Sequence, residues 1–261
     1  MDSSPPATGP DTTRAARMVA VVGAAGGAGT STLAAALARS LRRQVGETTL
    51  VDLHTPGGGV DVLLGVEDAP GARWPDLADA RGTVDPPDLL AALPRWAGVP
   101  VLSASRYAAA PPQDDVVLDV VTALVRAGQR IVLDLPGPRS WDRAPGNLLR
   151  SADVVVLVVP RSARGVAGGI AARRALDAVT RGPVRLVAGL PSAGRVDAGE
   201  VARAVGGPLA AVLDRDRHLP AALERGEGPR TGARTPVGRA ARGLVDALSR
   251  VPGADRTAVG A

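Results

Sequence analysis

The chain has 261 residues, of which 45% are hydrophobic, with 31 cations, 26 acids and no cysteine. That length and apolar share suit one large α/β domain, and the lack of Cys excludes disulfide frameworks and thiolate metal sites. All 31 cations are Arg, so chemistry that needs a lysine is excluded too, and the net charge of +5 is spread without a cationic run, which argues against a specific nucleic-acid surface.

Residues 1–17 are rich in Pro, Ser and Thr, lack the apolar region of a signal peptide, and are expected to form a disordered tail. Met18–Gly23 then predicts a buried strand. Ser31–Gln44 predicts a helix, with Leu33, Leu37 and Leu41 at helical spacing. Strands are predicted at Thr48–Leu53, Val99–Leu102, Arg130–Leu135, Asp153–Val159, Val184–Ala188 and Leu209–Leu213. Between them the pattern predicts helices at Asp114–Ala127, Ser162–Thr180 and Ala198–Val205, with an amphipathic helix at Pro236–Arg250 to close. The stretch 65–98 reads as loops with one short helix near Asp88–Leu93. Residues 252–261 read as a frayed tail. Val/Leu-rich strands alternating with helices mean a doubly wound, mostly parallel sheet covered on both faces, here spanning 18–251 as one domain. No apolar run reaches the roughly 18 residues needed to span a bilayer.

Residues 23–32 read GAAGGAGTST and join the first strand to the first helix. Helix-opening amides and the helix dipole favour an anion there, and Gly26, Gly27 and Gly29 let backbone approach a phosphate. Two ligand classes fit. Gly23, Gly27 and Gly29 match a short-chain-dehydrogenase spacing, with Asp52 near the place of a ribose-binding acid. Hydride chemistry of that type needs a Tyr–Lys pair and is excluded, while bare dinucleotide binding stays open. The alternative is a phosphate loop of the type G-x-x-x-x-G-K-[ST]. Gly29 then takes the last glycine, Thr30 the lysine position, and Ser31 the Mg²⁺-binding hydroxyl.

Several segments together resemble the ParA/MinD superfamily of deviant-Walker ATPases. The family loop K-G-G-x-G-K-[ST]-[ST] is matched by Ala25 through Thr32. The family's D-x-D is matched by Asp52, with His54 at the second acid. Its Walker B strand is matched by RIVLDLPGP, which carries Asp134. The strand 151–160 and the segment Ala222–Pro229 are also similar. Within the superfamily the lysine-free loop is most similar to the CpaE/TadZ branch, whose actinobacterial members are labelled CpaE-like or septum site-determining proteins.

The resemblance implies a P-loop NTPase fold of the SIMIBI, ParA/MinD type. It implies ATP on Gly26, Gly27, Ala28, Gly29, Thr30, Ser31 and Thr32, and Mg²⁺ on Ser31, Asp134 and Asp52. Asp52 and Asp134 are its candidate catalytic residues if the protein is active. It further implies a homodimer, protein partners in a Tad-type pilus, secretion or division machine, and a cytoplasmic, polar or septal location. Losing one charge-stabilising donor typically costs about a hundred- to thousandfold in rate, so Thr30, Ala25 and His54 predict little or no ATPase activity. The expected function is a positioning or assembly factor with a degenerate ATP site. Alternatives are an active ATPase that recruits an Arg from elsewhere, a nucleotide-free scaffold, and a DNA-binding partition protein, against which the scattered Arg argue. Gly189 replaces the Asn of the family's adenine-contacting V-x-N-R. Arg161 and Arg164, just after the strand that ends at Pro160, are candidates to face a phosphate, though a solvated loop is the favoured reading. His54 and His218 lack metal-ligand spacing. The last helix, with its stripe of Val237, Ala241, Leu244, Leu248 and Val251, is expected to pack on the sheet rather than lie on a membrane.

Overall fold

The computed structural model describes residues 16–54, 59–80, 84–107, 111–191 and 196–250. The expectations for the N-terminal tail (all but its last two residues), the C-terminal tail and Val251 lie outside these residues. The strands are β1 (Met18–Gly23), β2 (Thr48–Asp52), β3 (Arg95–Trp96), β4 (Val99–Leu102), β5 (Arg130–Leu135), β6 (Val154–Arg161), β7 (Val184–Pro191) and β8 (Leu209–Val212). They form one sheet in the order β3-β4-β2-β5-β1-β6-β7-β8. All pairings are parallel except the β3–β4 hairpin. The doubly wound, mostly parallel sheet expected from the sequence is the observed fold.

Alternation along the strands splits the core in two. Ala20, Val22, Val155, Leu157, Ile131 and Leu133 face one side, and Val19, Val21, Val154, Val156 and Val132 face the other. On the first side lie α4 (Asp114–Arg126), α5 (Ala144–Ser151), α6 (Ala163–Val179) and α7 (Ala198–Val205). On the second lie α1 (Thr30–Gln44) and α9 (Pro236–Leu248). α1 buries Leu33, Leu37 and Leu41 together with four alanines. Its last turn carries Arg42 and Arg43, the favourable charge for a helix C-terminus. The apolar stripe of α9 (Val237, Ala241, Leu244, Leu248) is buried against α1 and β8, as expected, and Ala240 and Val245 widen it. Among the described residues no helix is long and apolar enough to cross a membrane.

Between β2 and β4 the structure corrects the sequence reading. The region holds α2 (Gly59–Leu64), a 3-10 turn at Trp74–Leu77 and α3 at Pro86–Ala92, two residues earlier than expected. Asp85 sets the earlier start, because its carboxylate accepts from the Asp88 amide and Pro86 and Pro87 open the helix. Further along lies α8 (Leu219–Leu223), and β7 runs on to Pro191. Arg161 and Arg164 are not in a loop: Arg161 ends β6 and Arg164 sits in the first turn of α6.

Candidate functional site

The loop of residues 24–29 leaves β1 at the centre of the sheet. Its start is fixed by the Ala24 amide, which donates to the Val158 carbonyl at 2.9 Å. Its end is Gly29, at φ +85°, which caps α1 without a side-chain hydrogen bond. Gly27, at φ +72°, makes a second left-handed turn. Such backbone disfavours any residue with a Cβ. A Cβ at Gly29 would also lie 2.9 Å from Leu213 Cδ2. We expect Gly29→Ala to lower stability by about 1–2 kcal/mol, read as a drop in Tm; an unchanged Tm would mean the loop relaxes freely.

The Thr30 hydroxyl packs back against Gly23, where a Cβ would meet it at 2.5 Å. Gly189 has a packing reason as well. A Cβ there would crowd the Ala28 carbonyl, Val158 and the Val159 carbonyl, each at 3.2 Å. The loop therefore rests on β7 where the side chain of an Asn would begin.

The two acids meet because their strands are neighbours. β2 and β5 pair with Asp52 opposite Asp134, and β5 pairs with β1. By strand alternation both carboxylates point to the α1 side, toward Ser31 in its first turn. Both residues are 1% exposed. Asp52 is well held: one carboxylate oxygen accepts from the His54 amide at 2.8 Å, the other from the Val60 amide at 2.9 Å. Its own carbonyl accepts from the Trp74 indole at 2.7 Å. Burial pushes the Asp52 carboxyl upward, and the two amides offset part of that.

Asp134 has no such support. Both of its oxygens are buried and lack a hydrogen-bond partner of normal geometry. Burial, and then the neighbouring charge of Asp52, raise its carboxyl to about 7, while the facing Ser31 hydroxyl pulls the other way. A strand-end Asp before Pro is often a turn former; this one makes no turn contact. An orphaned buried carboxylate beside a hydroxyl and a second carboxylate is the donor set of a hard, oxygen-seeking cation. Ser31, Asp134 and Asp52 thus come together as expected and fit Mg²⁺.

A cleft of about 1880 Å³ opens over this set. Residues 23–32 line its floor, so the seven expected nucleotide-binding residues all lie in it. Asp52, His54, Val60 and Leu63 form one wall; residues 111–115 and 142–145 form another; Arg164, Ala167 and Gly168 form a third. Sequence reasoning missed Arg143 and the indole of Trp74. Arg143, a non-glycine residue at φ +54°, caps α5 and lies 3.5 Å from Asp114. Arg161 points elsewhere: its guanidinium donates to the Gly189 carbonyl and the Asp214 carboxylate, and so ties β6 to the ends of β7 and β8. His54 and His218 join no cluster of metal-ligating residues among those described.

This is the architecture of a P-loop NTPase: a central strand, a glycine loop, a helix N-terminus and two strand-end acids. No family model matches the chain. It is 40% identical over 235 residues to uncharacterised proteins from two strains of Mycobacterium tuberculosis. The match covers 89% of this chain, which spans only 64% of the length of those relatives. Among solved structures, a ParA family ATPase from Chlorobium tepidum superposes with a TM-score of 0.71 at 17% identity, over 90% of this chain and 99% of that one. The septum site-determining protein MinD of Pyrococcus horikoshii, complexed with Mg-ADP, gives 0.68 at 17%, over 90% and 96%. A chain of the MinC:MinD cell division protein complex of Aquifex aeolicus gives 0.70 at 16%, over 89% and 95%. The chain has the ParA/MinD ATPase fold.

Proposed function

We propose that this protein is a positioning or assembly factor of the ParA/MinD superfamily that binds Mg-nucleotide and turns it over slowly or not at all. The observation that carries the reading is Asp134, buried and unpartnered beside Ser31 and Asp52, under a loop whose residues line an open cleft. When bound, Mg²⁺ would be held by Ser31 and Asp134 beside Asp52 and would supply positive charge to offset the carboxylates and the phosphates. The chain's own residues supply the rest. The α1 amides and the glycines cradle phosphate, Ser31 and Asp134 hold the cation, and Asp52 lies beside them. Neither Thr30 nor Ala25 brings the charge that a lysine would, so the site is better suited to holding a nucleotide than to cleaving it.

The finer reading is a CpaE/TadZ-like factor for Tad-type pilus or secretion machinery, or for septum placement. It acts as a homodimer in the cytoplasm, at a pole or septum, through protein partners. It rests on the lysine-free loop and on the fold shared with a chain of a MinC:MinD cell division complex.

The test is the melting temperature with and without millimolar Mg-ATP, with Mg-ADP and NAD as controls. A ligand at about a hundred times its Kd stabilises by about 2.7 kcal/mol, which moves a domain of this size by roughly 5–10 °C. An adenine-nucleotide shift that is lost in Gly29→Trp supports a nucleotide switch. A shift with NAD alone makes this a dinucleotide site, and no shift with any ligand makes it a scaffold.

A further inference from the structure

We propose that Arg164 supplies the positive charge that the loop lacks and clamps the terminal phosphate of the bound nucleotide. This rests on the nucleotide reading above and adds a residue and a ligand preference to it. Arg164 sits in the first turn of α6, which Ser162 opens by accepting from the Gly165 amide. Gly168 lies one turn further along the same helical face. A Cβ at Gly168 would be 2.8 Å from the Ala24 carbonyl oxygen, so the backbone of α6 lies directly against the start of the loop.

Two more glycines draw the helix in. A Cβ at Gly165 would be 2.3 Å from the Pro160 carbonyl, and one at Gly169 would be 2.9 Å from Val159. Glycine inside a helix costs roughly 1 kcal/mol relative to Ala. Three at these places make sense if close approach of α6 to β6 and the loop is required. The Ala24 amide is in turn bonded to β6, the strand that leads into α6. Arg164 is therefore carried on a helix locked to the loop.

Charge accounting singles Arg164 out. Among the described residues the cations lining the cleft are Arg143 and Arg164, against the carboxylates of Asp52, Asp114, Asp115, Asp134 and Asp142. Arg143 is paired with Asp114. Arg164 is exposed, and no carboxylate among the described residues pairs with it. It borders the Ala24 end of the loop, whereas Ser31 and the α1 amides stand at the other end. A phosphate chain whose inner phosphates rest on the α1 amides would present its outermost phosphate to Arg164. Its guanidinium offers the forked, permanently charged donor set that phosphate favours.

Calorimetric titration of Mg-ATP and Mg-ADP into the wild type, Arg164→Ala and Arg164→Lys tests this. Arg164→Ala is expected to weaken Mg-ATP by about ten- to a hundredfold, the worth of a charged hydrogen bond, while Mg-ADP changes by less than about threefold. Arg164→Lys should recover part of the loss. The ligand-free Tm should stay within about 2 °C, because the residue is exposed. Wild-type affinity for Mg-ATP in Arg164→Ala, or equal losses for ATP and ADP, overturns the clamp and leaves the nucleotide reading standing. A wild type that binds neither nucleotide overturns both.

Discussion

In a chelating buffer, Asp134→Asn stabilises the ligand-free protein at about pH 8 and changes it little at about pH 4. The cause is the buried carboxyl, raised from 3.8 to about 7 first by burial and then by the charge of Asp52. Asp52, with two amide donors on its carboxylate, carries its charge first. Asp134 therefore keeps its proton in the folded state over a range where the unfolded chain has released it. From about pH 4 to about pH 7 the folded state holds more protons, so stability falls as pH rises. The penalty reaches its full size above pH 7 and vanishes below about pH 4. Three units at about 1.4 kcal/mol each give ~4 kcal/mol. Asparagine has the shape of the protonated acid and cannot ionise, so the wild-type-minus-variant difference isolates this group from other titrations. Unfolding curves at the two pH values read it directly. An equal difference at both would sink the claim that Asp134 is held protonated. The same variant should lose the Mg-nucleotide shift: a residue that costs stability in the empty protein and is needed in the loaded one is a binding residue rather than a packing one.

Much of this site was legible in the sequence because its parts lie in long, strongly patterned elements. β1, β5 and β6 are short runs dominated by aliphatic residues, and the glycine loop and both acids sit at strand ends where spacing locates them. What periodicity could not supply was contact across the fold. The pairing of Asp52 with Asp134 follows from the adjacency of β2 and β5, and nothing in the linear pattern of either strand states that order. Short elements escaped for a related reason. α2 has six residues and α5 has eight, too few to show an apolar repeat, and α5 opens with Pro and Gly. The helix expected over Ser162–Thr180 includes Arg164, but the local pattern does not show what Gly165, Gly168 and Gly169 bring its first turn against, so the residue reads as solvated. In the folded chain those glycines bring its helix against the loop. Trp74 went unread because the indole's role depends on reaching the Asp52 carbonyl, a long-range contact no local pattern displays.

Arg73→Ala is expected to be the most damaging single change outside the central sheet. Arg73 is 7% exposed and Asp61 3%, and the guanidinium Nε lies 3.4 Å from the Asp61 carboxylate. The other guanidinium nitrogens donate to the carbonyls of Gly71 at 3.0 Å, Val66 at 2.7 Å and Ala69 at 3.3 Å. Truncation leaves the buried Asp61 carboxylate without its cation and takes a donor from three carbonyls, of which that of Val66 keeps the Ala69 amide. Breaking a buried pair from one side costs about 3–5 kcal/mol, which for a domain of this size is a fall in Tm of roughly 6–20 °C. The double variant Arg73→Ala/Asp61→Asn should regain part of the loss, since it removes the unpaired charge; a double variant no better than the single would mean that the carbonyls or the lost packing carry the cost. The pair also bears on the site. Asp61 lies in α2 beside Val60, whose amide holds Asp52, and Trp74, next to Arg73, holds the Asp52 carbonyl. Loosening Arg73 should therefore weaken Mg-nucleotide binding even under conditions where the variant is still folded. Wild-type affinity in a folded Arg73→Ala would show that the frame of Asp52 stands without this pair.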